Sequence, residues 1–196
     1  MANVGQVPIG VSARHVHLCD EHIEQLFGAG AQLTFDFDLS QPGQFAAQER
    51  VTLVSEVGTI EGVRVLGPAR AASQVEISKT DSFVLGLNPP IRLSGELENS
   101  ESITIVGPAG QVKINEGVIV VRAHIHMHPE DARQFQVEDG ELVDVDVPSE
   151  RPITFRDVVI RVHPQFKLDM HIDTDEGNAA NISQRVFGTV VKKGGG

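Results

Sequence analysis

The chain has 196 residues, 40% apolar and 22% charged, with a formal net charge of −11. That is enough for one large domain or two small ones of ordinary globular composition, and the acidic balance disfavours nucleic acid and anionic membranes as partners. There is no Trp or Tyr to stack single-stranded bases, and no apolar run approaches the ~18–20 residues of a membrane span.

A single cysteine, Cys19, leaves no intrachain disulfide and fits a reducing, cytoplasmic compartment. The opening MANVGQVPIG lacks the basic-then-apolar pattern of a signal peptide, and the closing KKGGG reads as a frayed tail.

Taken in chain order, most segments read as short strands. Runs at 7–12, 50–56, 63–67, 74–78, 102–107, 112–114, 117–127, 142–147, 153–162 and 167–174 are rich in β-branched residues, and Gly, Pro, Asn and Asp punctuate them. Two segments read as helices. In DEHIEQLFG (20–28), Ile23, Leu26 and Phe27 share a face and Gly28 ends the run; in HPEDARQFQV (128–137), Pro129 stands at the first turn with acids after it. Many short strands with few helices predict β-barrel or sandwich modules.

The chain also echoes itself. Aligning His17 with His126 puts Leu18 on Met127, Glu21 on Glu130, Gln25 on Gln134 and Leu26 on Phe135. A second echo sets VTLVSEVG (51–58) against ITIVGPAG (103–110). Two related halves with a site between them would produce both.

The echo centres on two His-x-His pairs, His15/His17 and His124/His126, each following an arginine and leading into a short helix. Residues i and i+2 of a strand face the same way, so each pair presents two imidazoles side by side, a natural pair of metal ligands. A lone pair of this kind is more often a polar strand face; two in matching surroundings favour ligation. His171 in LDMHIDTDEGN and Glu76 in QVEISKTD are candidate third ligands, Glu76 because its neighbours Val75 and Ile77 pack on the opposite side. His128 sits at a helix N-cap position, His22 and His163 read as surface residues, and Cys19 reads as local packing. Arg70, after a Gly-Pro turn and six residues before Glu76, offers a planar fork suited to phosphate.

Five stretches carry a family resemblance: VPIGVSARHVHL, LSQPGQFAAQERVTLV, VRVLGPARAASQVEISKTDSFVLG, EGVIVVRAHIHMHPEDA and MHIDTDEGNAA. Together, from about Val7 to Lys193, they resemble the phosphate propanoyltransferase family of phosphotransacylases. The resemblance implies a mainly β protein of two β-barrel domains capped by short α-helices. One domain is formed by 1–13 and 122–196, the other by 14–121, with the active site at their boundary. It implies interconversion of an acyl-CoA (propanoyl-CoA or acetyl-CoA) and phosphate with an acyl phosphate and CoA. Two metal ions per chain, usually zinc, would be held by His15, His17 and Glu76 and by His124, His126 and His171; cobalt and iron also suit such ligands. Arg70 would bind phosphate and act in catalysis. Ser12, Arg64, Leu66, His171 and Asn178 would line the CoA path. A homodimer and association with a bacterial microcompartment, in the setting of propanediol degradation, are further family expectations, although no clear encapsulation peptide precedes Val7.

One departure stands out. Where the family often reads LTPLKDLSQPG, this chain reads LTFDFDLSQPG (33–43), so Phe37 replaces a lysine expected near CoA phosphates and Asp36 stands beside it. The residues alone also permit a metal-dependent thioester hydrolase, with water in place of phosphate. A one-metal cupin barrel is disfavoured because Glu21 falls on the first helix. A non-catalytic binding module is disfavoured by six candidate ligands from separate segments.

Overall fold

A computed structural model describes residues 2–193; Gly194–Gly196 of the glycine tail lie outside the described residues. The chain divides into two compact units. A terminal unit takes the N-terminal stretch through Ser12, the short segment Ser40–Pro42, and the chain from Arg122 onward; a central unit takes Ala13–Leu39 and Gly43–Val121.

The elements run β1 (Ala2–Ser12), β2 (His15–His17), α1 (Asp20–Phe27), β3 (Phe35–Asp38), β4 (Phe45–Val54), β5 (Thr59–Gly67), β6 (Gln74–Glu76), α2 (Lys79–Leu85), β7 (Ile91–Arg92), β8 (Glu101–Val106) and β9 (Gln111–Val121). Then follow β10 (His124–Met127), α3 (Pro129–Phe135), β11 (Leu142–Val147), β12 (Ile153–Val162), β13 (Asp169–Asp173), α4 (Thr174–Ala179) and β14 (Val186–Lys192). The protein is mainly β, as the composition of its segments predicts.

In the terminal unit the strands close in the order β1-β13-β10-β12-β11-β14. In the central unit β4-β5-β2-β6-β9 is closed by β8, which pairs with both β9 and β4; β3 and β7 are attached outside that ring. Both units are thus six-stranded barrels, which leaves no open edge within the ring.

The two rings follow one plan. β2 runs parallel to β5 and antiparallel to β6; β10 runs parallel to β12 and antiparallel to β13. β4 and β11 close the hairpins with β5 and β12. β9 lies parallel to β6 just as β1 lies parallel to β13. Each His-x-His strand is therefore preceded in sequence by a strand of the other barrel: β1 leads into β2, and β9 leads into β10. That exchange explains why the apolar run 117–127, which reads as one strand, breaks at Arg122 and Ala123. Its first part belongs to the central barrel and its second to the terminal one.

The same plan settles the echoes. His17 and His126 occupy equivalent positions, opposite Gln74 and Asp169 respectively. The second echo has a different origin. β4 and β8 pair with each other, Leu53 opposite Ile105, so they are neighbours in one barrel and not equivalent strands.

Each barrel has its own core. Val16, Leu53, Val65, Val75, Ile105 and Val118 cluster in the central one, and Val7, Ile9, Ile125, Met127, Val145, Ile160 and Met170 in the terminal one, none more than 2% exposed. Burying a side chain of this size stabilises by roughly 1.5–3 kcal/mol. Because Val16 and Ile125 point into these cores, strand alternation turns their histidine neighbours onto the opposite face.

Two helices escape the sequence reading. Ser78 caps α2 and Asp173 caps α4, each in a reciprocal capping box, with Asp81 and Glu176 as the partners. The strand pattern read through 78 and 174 consequently stops earlier, at Glu76 and Asp173. No helix among the described residues is long and apolar enough to cross a membrane.

Candidate active site

In the central barrel, β2 sets His15 opposite Glu76 and His17 opposite Gln74, on the face away from Val16. His15, His17 and Glu76 are all buried, and each offers a ligand atom within 4.8 Å of the others. The His15 Nδ1 lies 2.8 Å from the Ala13 carbonyl oxygen. A carbonyl can only accept, so Nδ1 carries the proton and Nε2 faces inward. Nε2 is 3.1 Å from the Glu76 Oε2, and the His17 Nε2 is 3.8 Å from Oε1. An imidazole lone pair and a carboxylate can face each other so closely only across a proton or a cation.

The electrostatics agree. Burial opposes charge on His15, but the Glu76 carboxylate and its hydrogen bond overcome it and raise the His15 pKa. Burial likewise opposes ionisation of Glu76, and the charge and hydrogen bond of His15, then His17 and Arg70, hold its carboxyl well below the usual range. Burial first, then the charges of His15 and Arg70, drives the His17 pKa well down and keeps it neutral. Two imidazoles and a buried carboxylate could hold a divalent transition metal, whose charge would take the place of the proton on His15.

The terminal barrel repeats the arrangement. β10 sets His124 opposite His171 and His126 opposite Asp169. The His124 Nδ1 meets the Arg122 carbonyl at 2.8 Å, the counterpart of His15 on Ala13. The rings of His124, His126 and His171 gather with centroids 4.7–5.3 Å apart. Ser12 Oγ lies 3.4 Å from the His171 Nδ1. Asp169, 2% exposed, lies 3.6 Å from the His171 Nε2 and receives a 2.9 Å hydrogen bond from Arg185. Burial raises the Asp169 pKa against the opposing effects of Ser40 and Arg185.

A model of the family described as "Phosphate propanoyltransferase" matches residues 8–183. A Priestia megaterium protein of that name is 59% identical over 90% of this chain and 82% of its own length. One from Thermotoga maritima is 53% identical over 89% of this chain and 84% of its own, and one from Lachnoclostridium phytofermentans 53% identical over 90% and 83%. The chain belongs to the phosphate propanoyltransferase family. It is an acyltransferase.

In the central barrel Arg64 lies opposite His15 and Leu66 opposite His17 on β5. Arg64 is committed locally: Nη1 is 2.6 Å from the Asp36 Oδ2 and 2.8 Å from the Ala47 carbonyl, and its guanidinium stands 5.3 Å from the centroid of the Phe37 ring. The two unusual residues of LTFDFDLSQPG therefore engage this arginine directly. Arg70, half-buried, donates from Nη1 to Ser94 Oγ at 2.9 Å. In the terminal barrel Ser12 touches His171, and Asn178 is exposed on α4.

Of the residues read as incidental, His163 is exposed, whereas His22 is half-buried and its Nδ1 lies 2.7 Å from Ser73 Oγ. Cys19 is the N-cap residue of α1, and its backbone N–H donates to the same Ser73 oxygen. The sequence reading passes over Gln74, Ser94 and Asp169. Gln74 and Asp169 carry one signal in common: each stands two residues before a third ligand and so shares its strand face.

Proposed function

We propose that this chain transfers an acyl group, propanoyl or acetyl, between coenzyme A and inorganic phosphate. The observation that carries the reading is the buried His15–His17–Glu76 cluster with Arg70 acting on its charges, in a chain whose relatives are named for this reaction.

His15, His17 and Glu76 would hold one divalent metal and His124, His126 and His171 a second, with zinc as the first choice and cobalt or iron suited to the same donors. Such a metal supplies Lewis-acid stabilisation of charge that develops on oxygen. Arg70 receives phosphate through its planar fork. A phosphate oxygen attacks the thioester carbonyl carbon directly, the C–S bond breaks, and CoA leaves as the thiolate and takes up a proton. No acyl-enzyme forms. Cys19, half-buried beside Ser73 at a helix start, serves packing. Ser12, Arg64, Leu66, His171 and Asn178 would contact CoA. Holding both reactants in register supplies much of the rate.

The test measures release of CoA thiol and formation of propanoyl phosphate from propanoyl-CoA, with and without phosphate. Phosphate-dependent release, matched mole for mole by acyl phosphate, is expected. Equal release without phosphate would make the protein a thioester hydrolase. Cys19→Ala is expected to keep at least about half of the activity, since nothing reactive is removed; loss of turnover in a folded variant would overturn direct attack.

A further inference from the structure

Gln74 on β6 is 2% exposed and stands opposite His17 on β2, and both hydrogens of its amide are used. Nε2 donates to Glu76 Oε1 and, at 2.8 Å, to Ser94 Oγ; Oε1 accepts the Gly95 backbone N–H at 2.8 Å. Gly95 has φ 99°, a left-handed conformation that turns the backbone N–H of this loop onto Gln74. The loop is closed on itself as well, since Leu93 donates to the Glu96 carboxylate and Glu96 to the Leu93 carbonyl.

Ser94 is where this network meets Arg70. Its hydroxyl oxygen accepts from Gln74 Nε2 and from Arg70 Nη1 at 2.9 Å. A hydroxyl has two lone pairs and one proton. With both lone pairs occupied by N–H donors, the proton must point to a third group, and that group must be an acceptor. A hydroxyl held as an obligate donor next to a guanidinium is the chemistry of an anion site.

We propose that Ser94 is a phosphate-binding residue, donating its O–H to the anion that Arg70 receives, and that Gln74 is the positioning residue that locks Ser94 and Glu76 into one rigid frame. The proposal rests on Arg70 being the phosphate cation. The terminal barrel supports the positional role independently. Asp169 occupies the place equivalent to Gln74, opposite His126, and it too lies between a candidate ligand, His171, and an arginine, Arg185.

The decisive experiment is calorimetric titration of the metal-loaded enzyme with inorganic phosphate, for wild type, Ser94→Ala, Ser94→Thr and Gln74→Met. Zinc retention against a chelator is measured on the same proteins. Ser94→Ala is expected to weaken phosphate binding roughly 10- to 100-fold, the range for a lost hydrogen bond to a charged group, with zinc retention unchanged. Ser94→Thr keeps the hydroxyl and should recover binding to within about threefold. Gln74→Met should weaken phosphate binding and also lower zinc affinity roughly 10- to 100-fold, as loss of a group orienting a ligand does.

Unchanged phosphate affinity in Ser94→Ala overturns the role of Ser94; unchanged zinc retention in Gln74→Met overturns the positioning role. Because Ser94 is only partly buried, its variants test the proposal even if Gln74→Met fails to fold. The readout is binding, so it stands apart from the reaction. A wild type that binds phosphate through Ser94 but releases CoA without phosphate would refute the transferase reading and leave this inference standing.

Discussion

The two barrels share one strand plan but store their negative charge in different places. In the central barrel the carboxylate is one of the three converging groups, Glu76, and a neutral amide, Gln74, holds it from behind. In the terminal barrel the equivalent of Glu76 is His171, and the carboxylate has moved two residues back to Asp169, where Gln74 stands in the other half. Each barrel thus keeps one carboxylate near its histidine pair, once inside the donor set and once behind it. Backbone register decides where a ligand can be; the residue types decide the charge of the set. A carboxylate donor would lower the net charge of a metal held there, whereas three neutral imidazoles would leave it more cationic.

Removing the third donor from either half should have the largest effect. Glu76→Ala and His171→Ala are each expected to cut kcat/KM by at least about 10³-fold, in line with the several kcal/mol that a metal's charge stabilisation supplies. Steady-state kinetics with propanoyl-CoA and phosphate would check this. Equal, small losses in both would mean that the donors are structural. Exchange is the sharper test: Glu76→His with His171→Glu keeps the composition and inverts the asymmetry. A loss of about 10–100-fold, smaller than either alanine variant, would show that position matters more than charge; loss as deep as the alanine variants would show the reverse.

The core residue between each histidine pair offers a control. Ile125→Ala should cost about 2–5 kcal/mol through cavity formation, read as a fall in thermal midpoint of several degrees. Its effect per folded molecule on phosphate affinity should be small, because Ile125 faces the core and not the cluster.

A smaller effect concerns the unusual loop beside Arg64. Phe37→Lys restores a cation and removes the ring under the guanidinium, and it is expected to lower KM for acyl-CoA about 3- to 10-fold, the gain of one exposed phosphate contact. An unchanged KM would place the CoA phosphates away from this loop.

The smallest effect is local. Burial, then the charges of Asp173 and Asp175, push the Glu176 pKa up to about 7 against the Asp173 backbone hydrogen bond. A carboxyl raised above its unfolded value contributes stability that is complete below about pH 4.5 and is lost as pH rises through about 7. Amide exchange in α4, corrected for intrinsic rates, should therefore quicken between about pH 4.5 and 7 and level off above that, and Glu176→Gln should remove that dependence. A flat profile in wild type would show that Glu176 is solvated.

Much of this was legible in the residues. His-x-His on a strand needs only a period of two to imply one shared face, and each pair takes such a face in its own barrel, away from the core residue between its histidines. β11 and β12 lie where alternation puts them, at Leu142–Val147 and Ile153–Val162. Three features resisted. The helices α2 and α4 are six or seven residues long and are specified by caps more than by an apolar stripe; SKTD and DTDE were their only signals. The break at Arg122 and Ala123 follows from which barrel each half of the run joins, and no local pattern encodes that. Gln74 and Ser94 are invisible to motif reading because a glutamine in a buried strand and a serine in a turn acquire meaning only from the partners that the fold brings to them.

The most direct test of the central claim, that both barrels build equivalent metal-binding positions, is elemental analysis of the purified chain beside its Glu76→Ala and His171→Ala variants. Two metals per wild-type chain and one in each variant is the expected result. One metal in wild type, retained in full by His171→Ala, would confine metal to the central barrel and contradict the claim.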